Sequence, residues 1–276
     1  MTILRIAMAQ LSSSPDRERN LEACLTAMRR AADDGAQLIA FPEVVLDRFF
    51  PQNEGDTEAR ALADPVPGPL TDRISELARQ LSLVTVFNLY ERAEDGRRFD
   101  SSPVFDADGT LLGITRMIHI TQYQHFFEQD YYDLGNRGAP VYETAVGKVG
   151  VAICYDRHYP EYMRALGVAG AEVVVIPQAG SVGEWPQGMY EAEVRTAAFQ
   201  NGYFAALCNR VGVEQHLTFS GESFVSDPEG RIIARARSGV DELLAVDIDL
   251  EHARQSTARR LFWRDRRPEL YGDWLA

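Results

Sequence analysis

The chain has 276 residues, 45% hydrophobic and 25% charged, with a formal net charge of −13. This length suits one large α/β domain or two small ones, and the composition is that of an ordinary globular protein. The acidic excess argues against nucleic acid or an anionic membrane surface as partner, and no apolar run reaches membrane-spanning length. The first residues lead straight into a strand pattern without a signal-peptide core. Three scattered cysteines, Cys24, Cys154 and Cys208, suit a reducing cytoplasm and supply neither a disulfide framework nor zinc spacing. The His residues show no metal-type cluster, so no metal is expected.

Ile3 to Gln10 is a β-type run. Residues 17–34 carry Leu21, Cys24, Leu25, Met28 and Ala32 at helical spacing before Gly35, a C-terminal cap, which places Cys24 in the core. Leu38 to Phe41 reads as a short buried strand ending at Pro42-Glu43. A helix is expected over 71–81 and a strand over Leu83 to Arg92, with Asp95-Gly96 as a hairpin turn. Strands Ser101 to Asp106 and Thr110 to Met117 flank Asp108-Gly109. Thr121 to Gly135, polar and aromatic without a clean period, reads as an ordered loop. A strand then runs into Cys154, followed by a helix from Pro160 and a buried strand from Glu172 to Ile176. A helix near 188–200 precedes a strand from Tyr203 to Cys208, with Cys208 in the core. Further strands flank Pro228-Glu229-Gly230 and cover Glu242 to Ile248. Leu261 to Ala276 is a Trp- and Arg-rich tail. No linker or repeat interrupts the chain. Mixed βα units and hairpins give one α/β domain with a mixed sheet or two sheets.

Three positions carry potential chemistry. Cys154 lies between an apolar run and a helical pattern, at a strand-to-helix turn where ligands bind in α/β folds. Exposure there and a nearby helix N-terminus would favour the thiolate; a buried structural thiol is the alternative. Glu43 follows a strand end and is either a site carboxylate or a helix N-terminal acid. Glu128 lies among aromatics, where it needs a partner if buried, or else is a solvated loop acid. A thiol beside a carboxylate base is suited to acyl transfer: the base takes the proton, the thiolate attacks a carbonyl, and donors stabilise the oxyanion.

Several ordered segments resemble the nitrilase superfamily of carbon–nitrogen hydrolases, nearest its β-ureidopropionase and N-carbamoyl-amine amidohydrolase branch. They are Leu38-Ile39-Ala40-Phe41-Pro42-Glu43, Asp106-Ala107-Asp108-Gly109, and His119-Ile120 followed by Phe126-Phe127-Glu128. Ile153 to Glu161, Asn201-Gly202-Tyr203-Phe204, Asn209-Arg210-Val211-Gly212 and Arg264 to Gly272 continue the series. The resemblance implies a single-domain, four-layer αββα sandwich over 1–276, dimerised through helices beside the cysteine or assembled further. The aromatic 261–276 tail is expected to contact another subunit, because aromatics are enriched at interfaces. The resemblance also implies hydrolysis of a small amide or N-carbamoyl amine without a cofactor. By position, Glu43 resembles the general base, Cys154 the nucleophile and Glu128 the site-ordering glutamate. The backbone N–H of Tyr155 would be an oxyanion donor. Arg157 and His158 resemble pocket residues that meet substrate, with an ion pair from Arg157 to Asp156 or Glu161 as the alternative. Glu193 borders the site or balances helix charge. Trp185 and Tyr190 would line the pocket entrance or an interface.

The chain departs from that pattern at the family's lysine, whose place two residues before His119-Ile120 is Met117; Thr121 also replaces a usual proline. The only lysine, Lys148, falls at the far end of the strand leading to Cys154. Arg116 points to the opposite strand face from Met117, whereas His119 shares the Met117 face and is a candidate replacement donor. Losing one oxyanion donor costs roughly 10²–10³ in kcat. Three readings follow: an atypical or slow hydrolase, a binding or regulatory homologue, or a thiol enzyme that transfers or condenses acyl groups.

Overall fold

A computed structural model describes residues 3–272. In chain order the strands are β1 (Ile3–Gln10), β2 (Leu38–Ala40), β3 (Val84–Val86), β4 (Leu89–Arg92), β5 (Arg98–Phe105), β6 (Leu111–Arg116), β7 (Val141–Thr144) and β8 (Gly147–Val151). They continue as β9 (Val173–Gln178), β10 (Phe204–Asn209), β11 (Val211–Val213), β12 (Thr218–Ser220), β13 (Phe224–Ser226), β14 (Ile232–Arg235) and β15 (Glu242–Asp249). The main helices are α1 (Arg17–Asp33), α2 (Pro69–Leu81), α3 (Pro160–Val168) and α4 (Met189–Asn201).

Side-chain alternation builds the layers. In β1, Leu4, Ile6 and Met8 join the apolar core between two sheets, while Ala7 and Ala9 join a second core under α1 and α2. Small residues on the outer face let the helices lie close. The second sheet divides the same way. Val173 and Val175 face the first sheet, and Val174 and Ile176 face α3 and α4. One sheet runs β15-β1-β2-β3-β5-β4 with β6 added on β5; the other runs β14-β13-β10-β9-β8-β7. The result is the four-layer αββα sandwich. No helix among the described residues is long and apolar enough to cross a membrane.

The structure corrects the sequence reading at several points. The single strand expected over 83–92 breaks into β3 and β4, because Asn88 turns its amide into the interior, donating to Asp100 at 2.7 Å. The strand expected to reach Cys154 ends at Val151. Glu43 precedes a turn rather than a helix. The strand β7 and the β11–β12 hairpin were not legible, being short and of mixed polarity. The tail holds a turn of π-helix at Ala258–Phe262, with the Trp263 ring beneath Arg259 and Arg266 of the same chain. Residues 273–276 of the tail lie outside the described residues.

Candidate active site

Cys154 opens a short 3₁₀ turn, Cys154–His158, at the end of the run leaving β8. Its φ of 40° lies in the left-handed region, which costs an L residue roughly 1–2 kcal/mol. Neighbouring side chains hold the strained turn. Arg157 Nη1 donates to the Cys154 carbonyl at 2.8 Å and to Gln178 Oε1 at 2.9 Å, and Gln178 Nε2 lies 3.3 Å from Sγ as donor. The exposure expected of Cys154 is not found: it is 4% exposed. Nor is the resting thiolate favoured. Burial and then the charge of Glu43 push the thiol well above its ordinary value. The α3 N-terminus at Pro160 lies beyond the 3₁₀ turn.

Glu43 follows β2, and the next residue, Val44, also has a left-handed φ, 46°. A β-branched residue there is an outlier that the surroundings must impose. Asn88 Oδ1 accepts from Val44 N at 2.6 Å, and Arg210 Nη1 donates to the Glu43 and Val44 carbonyls at 2.8 and 2.6 Å. The Glu43 carboxyl is fully buried, in the neighbourhood of the Cys154 thiol and the Asp100 carboxyl. Burial, and then the charge of Glu128, raise it to about 8. Glu128 begins a 3₁₀ turn within the expected loop and is also fully buried. Its Oε2 accepts from Thr121 N at 3.4 Å, and burial followed by the charge of Asp100 pushes it well above the usual carboxylate range.

Met117 is fully buried in the apolar cluster that also contains Cys154. Arg116 faces away and pairs with buried Glu91 at 2.5 Å. Lys148 holds Glu143 at 2.9 Å, partly exposed, at the far end of β8. Among the described residues, no Lys or Arg forms an ion pair with Glu43, Asp100 or Glu128. The guanidinium felt by Glu43 is that of Arg210, which is engaged with backbone carbonyls and with Glu214 at 2.7 Å.

His119 does not take the donor role expected of it. Its Nδ1 lies 2.7 Å from Asp156 Oδ1, and its ring stacks on Tyr159 with centroids 3.5 Å apart. Asp156 also accepts from the backbone N–H groups of Ile118 and His119. The ring therefore ties β6 to the nucleophile turn. Arg157 pairs with neither Asp156 nor Glu161; its Nε lies 3.3 Å from Glu193, whose other oxygen is 2.6 Å from His158 Nδ1. The Arg157 guanidinium covers the Tyr190 ring at 4.5 Å, and Trp185 stands edge-on to His158 at 5.1 Å. Glu184 accepts from the Tyr190 and Tyr123 hydroxyls, and its charge raises the Cys154 thiol further. Tyr155 packs edge-on against His158 and Tyr159.

The structure thus brings Cys154, Glu43 and Glu128 together and adds four residues that the sequence reading assigned no role: Asp100, Asn88, Gln178 and Arg210. Asp100 and Gln178 fell just outside the expected strands. Their signal was a polar side chain at the edge of an apolar run, which alternation alone cannot tell from a solvent-facing position. Chemically, the pocket offers a thiol with a carboxyl group close enough to act on its proton. Among the described residues no group of three or more His, Cys, Asp or Glu is arranged to hold a metal ion.

Residues 5–258 match the family described as carbon-nitrogen hydrolase. The chain is 31% identical to an N-carbamoylputrescine amidase of Solanum lycopersicum over 98% of this chain and 94% of the relative. It is 36% identical to a beta-ureidopropionase of Arabidopsis thaliana, over 78% of this chain and 57% of that protein. Its fold superposes on a carbon-nitrogen hydrolase from Helicobacter pylori with a TM-score of 0.92, at 29% identity and 99% coverage of both chains. At 25% identity and a TM-score of 0.82 it also resembles a mutant amidase from Nesterenkonia sp. AN1, covering 99% of this chain and 97% of that one. That crystal structure shows covalent addition of the acetamide moiety of fluoroacetamide at the active-site cysteine.

Proposed function

Because the chain belongs to the carbon–nitrogen hydrolase family, we propose that it hydrolyses the C–N bond of a small N-carbamoyl amine or amide through a covalent Cys154 intermediate. The observation that carries this is the burial of the Glu43 carboxyl in the neighbourhood of the Cys154 thiol, which sits on a strained turn. Ionised Glu43 removes the Sγ proton as sulfur attacks the carbonyl carbon. The same proton then passes to the departing ammonia or amine. Water, deprotonated by Glu43, attacks the thioester and returns the thiol. From an N-carbamoyl amine, one water yields ammonia, carbon dioxide and the free amine.

In this reading the N–H of Tyr155 faces the developing oxyanion, and Glu128 orders the pocket beside Glu43. Arg157 holds the nucleophile turn. Its Nη2 and the Nε2 of His158, both buried without a hydrogen-bond partner among the described residues, wall the substrate's far end. Glu193 fixes both side chains. Met117 stands where the family has lysine, so one cationic donor is absent and turnover is slow. Leu261 and Phe262, at 46% and 37% exposure, extend the reading to assembly through the tail.

The test is ammonia release from a panel that includes N-carbamoylputrescine, 3-ureidopropionate and simple amides. Release by the wild type, lost in Cys154→Ala and cut severely in Glu43→Gln, is the expected result. Equal release by Cys154→Ala would overturn the mechanism.

A further inference from the structure

The interior beside Cys154 contains more carboxyl groups than its hydrogen bonds can satisfy as carboxylates. Asp100 is fully buried on β5, and its Oδ1 accepts from Asn88 at 2.7 Å. Its Oδ2, both oxygens of Glu43 and Oε1 of Glu128 are buried with no N–H or hydroxyl donor among the described residues. The hydroxyl oxygen of Tyr132, buried nearby, is likewise without a partner. Two adjacent carboxylates that can only accept repel one another and forfeit their hydration. One proton between them removes both problems, since a protonated carboxyl becomes a donor.

We propose that Asp100 is held as the neutral carboxylic acid and donates its proton in a hydrogen bond to Glu43, positioning the base that Met117 cannot neutralise. The surrounding framework supports this. The Asp100 carbonyl accepts from Met117 N at 2.9 Å, so Asp100 lies directly across the strand pair from the residue that lacks a cation. Asn88 uses its amide N–H on Asp100 and its amide oxygen on Val44 N, next to Glu43. One amide therefore ties the Asp100 carboxyl to the backbone next to Glu43. An Asn88 N–H bond to Oδ1 leaves Oδ2 to carry the proton toward Glu43. Burial, then the charge of Glu43, push Asp100 well above the usual carboxylate range, in keeping with a proton retained at neutral pH.

Asp100 acts through Glu43 and is a positioning residue. During catalysis the Asp100 O–H bond stays intact; only the Cys154 proton moves, to Glu43 and on to the leaving group. The consequence for ligands is that the site accommodates a neutral carbamoyl or amide head. A second negative charge at that position would be repelled by the Glu43 carboxylate.

This rests on Glu43 as the base, so the experiments are chosen to read Asp100 without turnover. The first is the infrared difference spectrum of wild type minus Asp100→Asn at pH 7. A protonated-carboxyl band present in the wild type and missing in the variant is expected; a difference confined to ionised-carboxylate bands would overturn the proposal. The second is the pH dependence of Cys154 alkylation by iodoacetamide. Asn matches a protonated Asp in shape and donor, so Asp100→Asn should keep the wild-type midpoint and rate within about threefold. Asp100→Ala, with the donor to a charged group gone, should slow alkylation at pH 7 by about tenfold or more. If Asp100 were ionised, Asp100→Asn would instead shift the midpoint down by about a pH unit or more through loss of a like charge. That result sinks the proposal. Absence of hydrolysis across the whole substrate panel, with the band and alkylation behaviour as expected, would overturn the function while the shared proton stands.

Discussion

Two neighbouring residues at the end of β6 open onto opposite electrostatic solutions. Arg116 faces one side and meets Glu91 at 2.5 Å, with Ser101 donating to Glu91 at 2.5 Å and the Phe99 ring 4.0 Å beneath the guanidinium. A buried carboxylate there has a cation, donors and an aromatic face. Met117, one residue on, lies in the apolar core that also contains Cys154, its backbone N–H donating to the Asp100 carbonyl at 2.9 Å, and its thioether supplies none of these. The same burial therefore has different consequences. On the Arg116 side it is offset by pairing; on the Met117 side it is offset by protons, and Glu43 is raised to about 8. Charge is permitted in the interior only where something answers it.

The comparison can be broken from either face. The largest effect is expected on the paired side. Arg116→Leu strands buried Glu91 and should lower the unfolding free energy by about 3–5 kcal/mol in urea titrations. Met117→Leu, a near-isosteric exchange, should change it by less than about 1.5 kcal/mol. Equal effects would show that the two faces do not differ as described.

Next in size, Met117→Lys should add a cationic donor and, on the proposed mechanism, raise kcat by about 10²–10³. It should also draw the Glu43 titration down from about 8, because an opposite charge favours the ionised form. No gain in either quantity would mean that residue 117 does not face the reacting atoms.

The unpaired face also sets a sign for stability. Glu43 holds its proton more tightly when folded, about 8 against an ordinary 4.5. Its contribution is present at low pH and is lost as pH rises through that window. Thermal unfolding midpoints should therefore fall from pH 5 to pH 8, and Glu43→Gln should flatten the decline. The smallest effect belongs to Gln178. Gln178→Leu removes the 3.3 Å contact to Sγ and a partner of Arg157. Slowing of Cys154 alkylation by roughly tenfold or less is expected, the worth of one neutral hydrogen bond.

The β1 alternation, the α1 apolar stripe and the ordered motifs from Leu38 to Arg210 made the sandwich legible in the sequence. Period and turn chemistry act locally, and these segments obey them. The direction of Arg116, opposite to that of its neighbour, was legible too, since strand faces alternate. The burial of Cys154 was not, because local pattern cannot say what packs over a turn. The shared Asp100–Glu43 environment was equally hidden. Asp100 and Glu43 come from β5 and the turn after β2 and meet only through the sheet, with Asn88 as intermediary. His119 illustrates the same limit. The sequence offered it as a replacement donor but could not show Asp156 claiming its ring.

The most direct measurement is ammonia release from N-carbamoylputrescine as a function of pH, with the wild type beside Met117→Lys. Glu43 as a base without an ion-pair partner predicts a slow wild-type reaction that rises with pH toward a midpoint near 8, and a faster variant with its midpoint displaced to lower pH. A wild-type profile already flat above pH 6, unchanged by the lysine, would contradict the account.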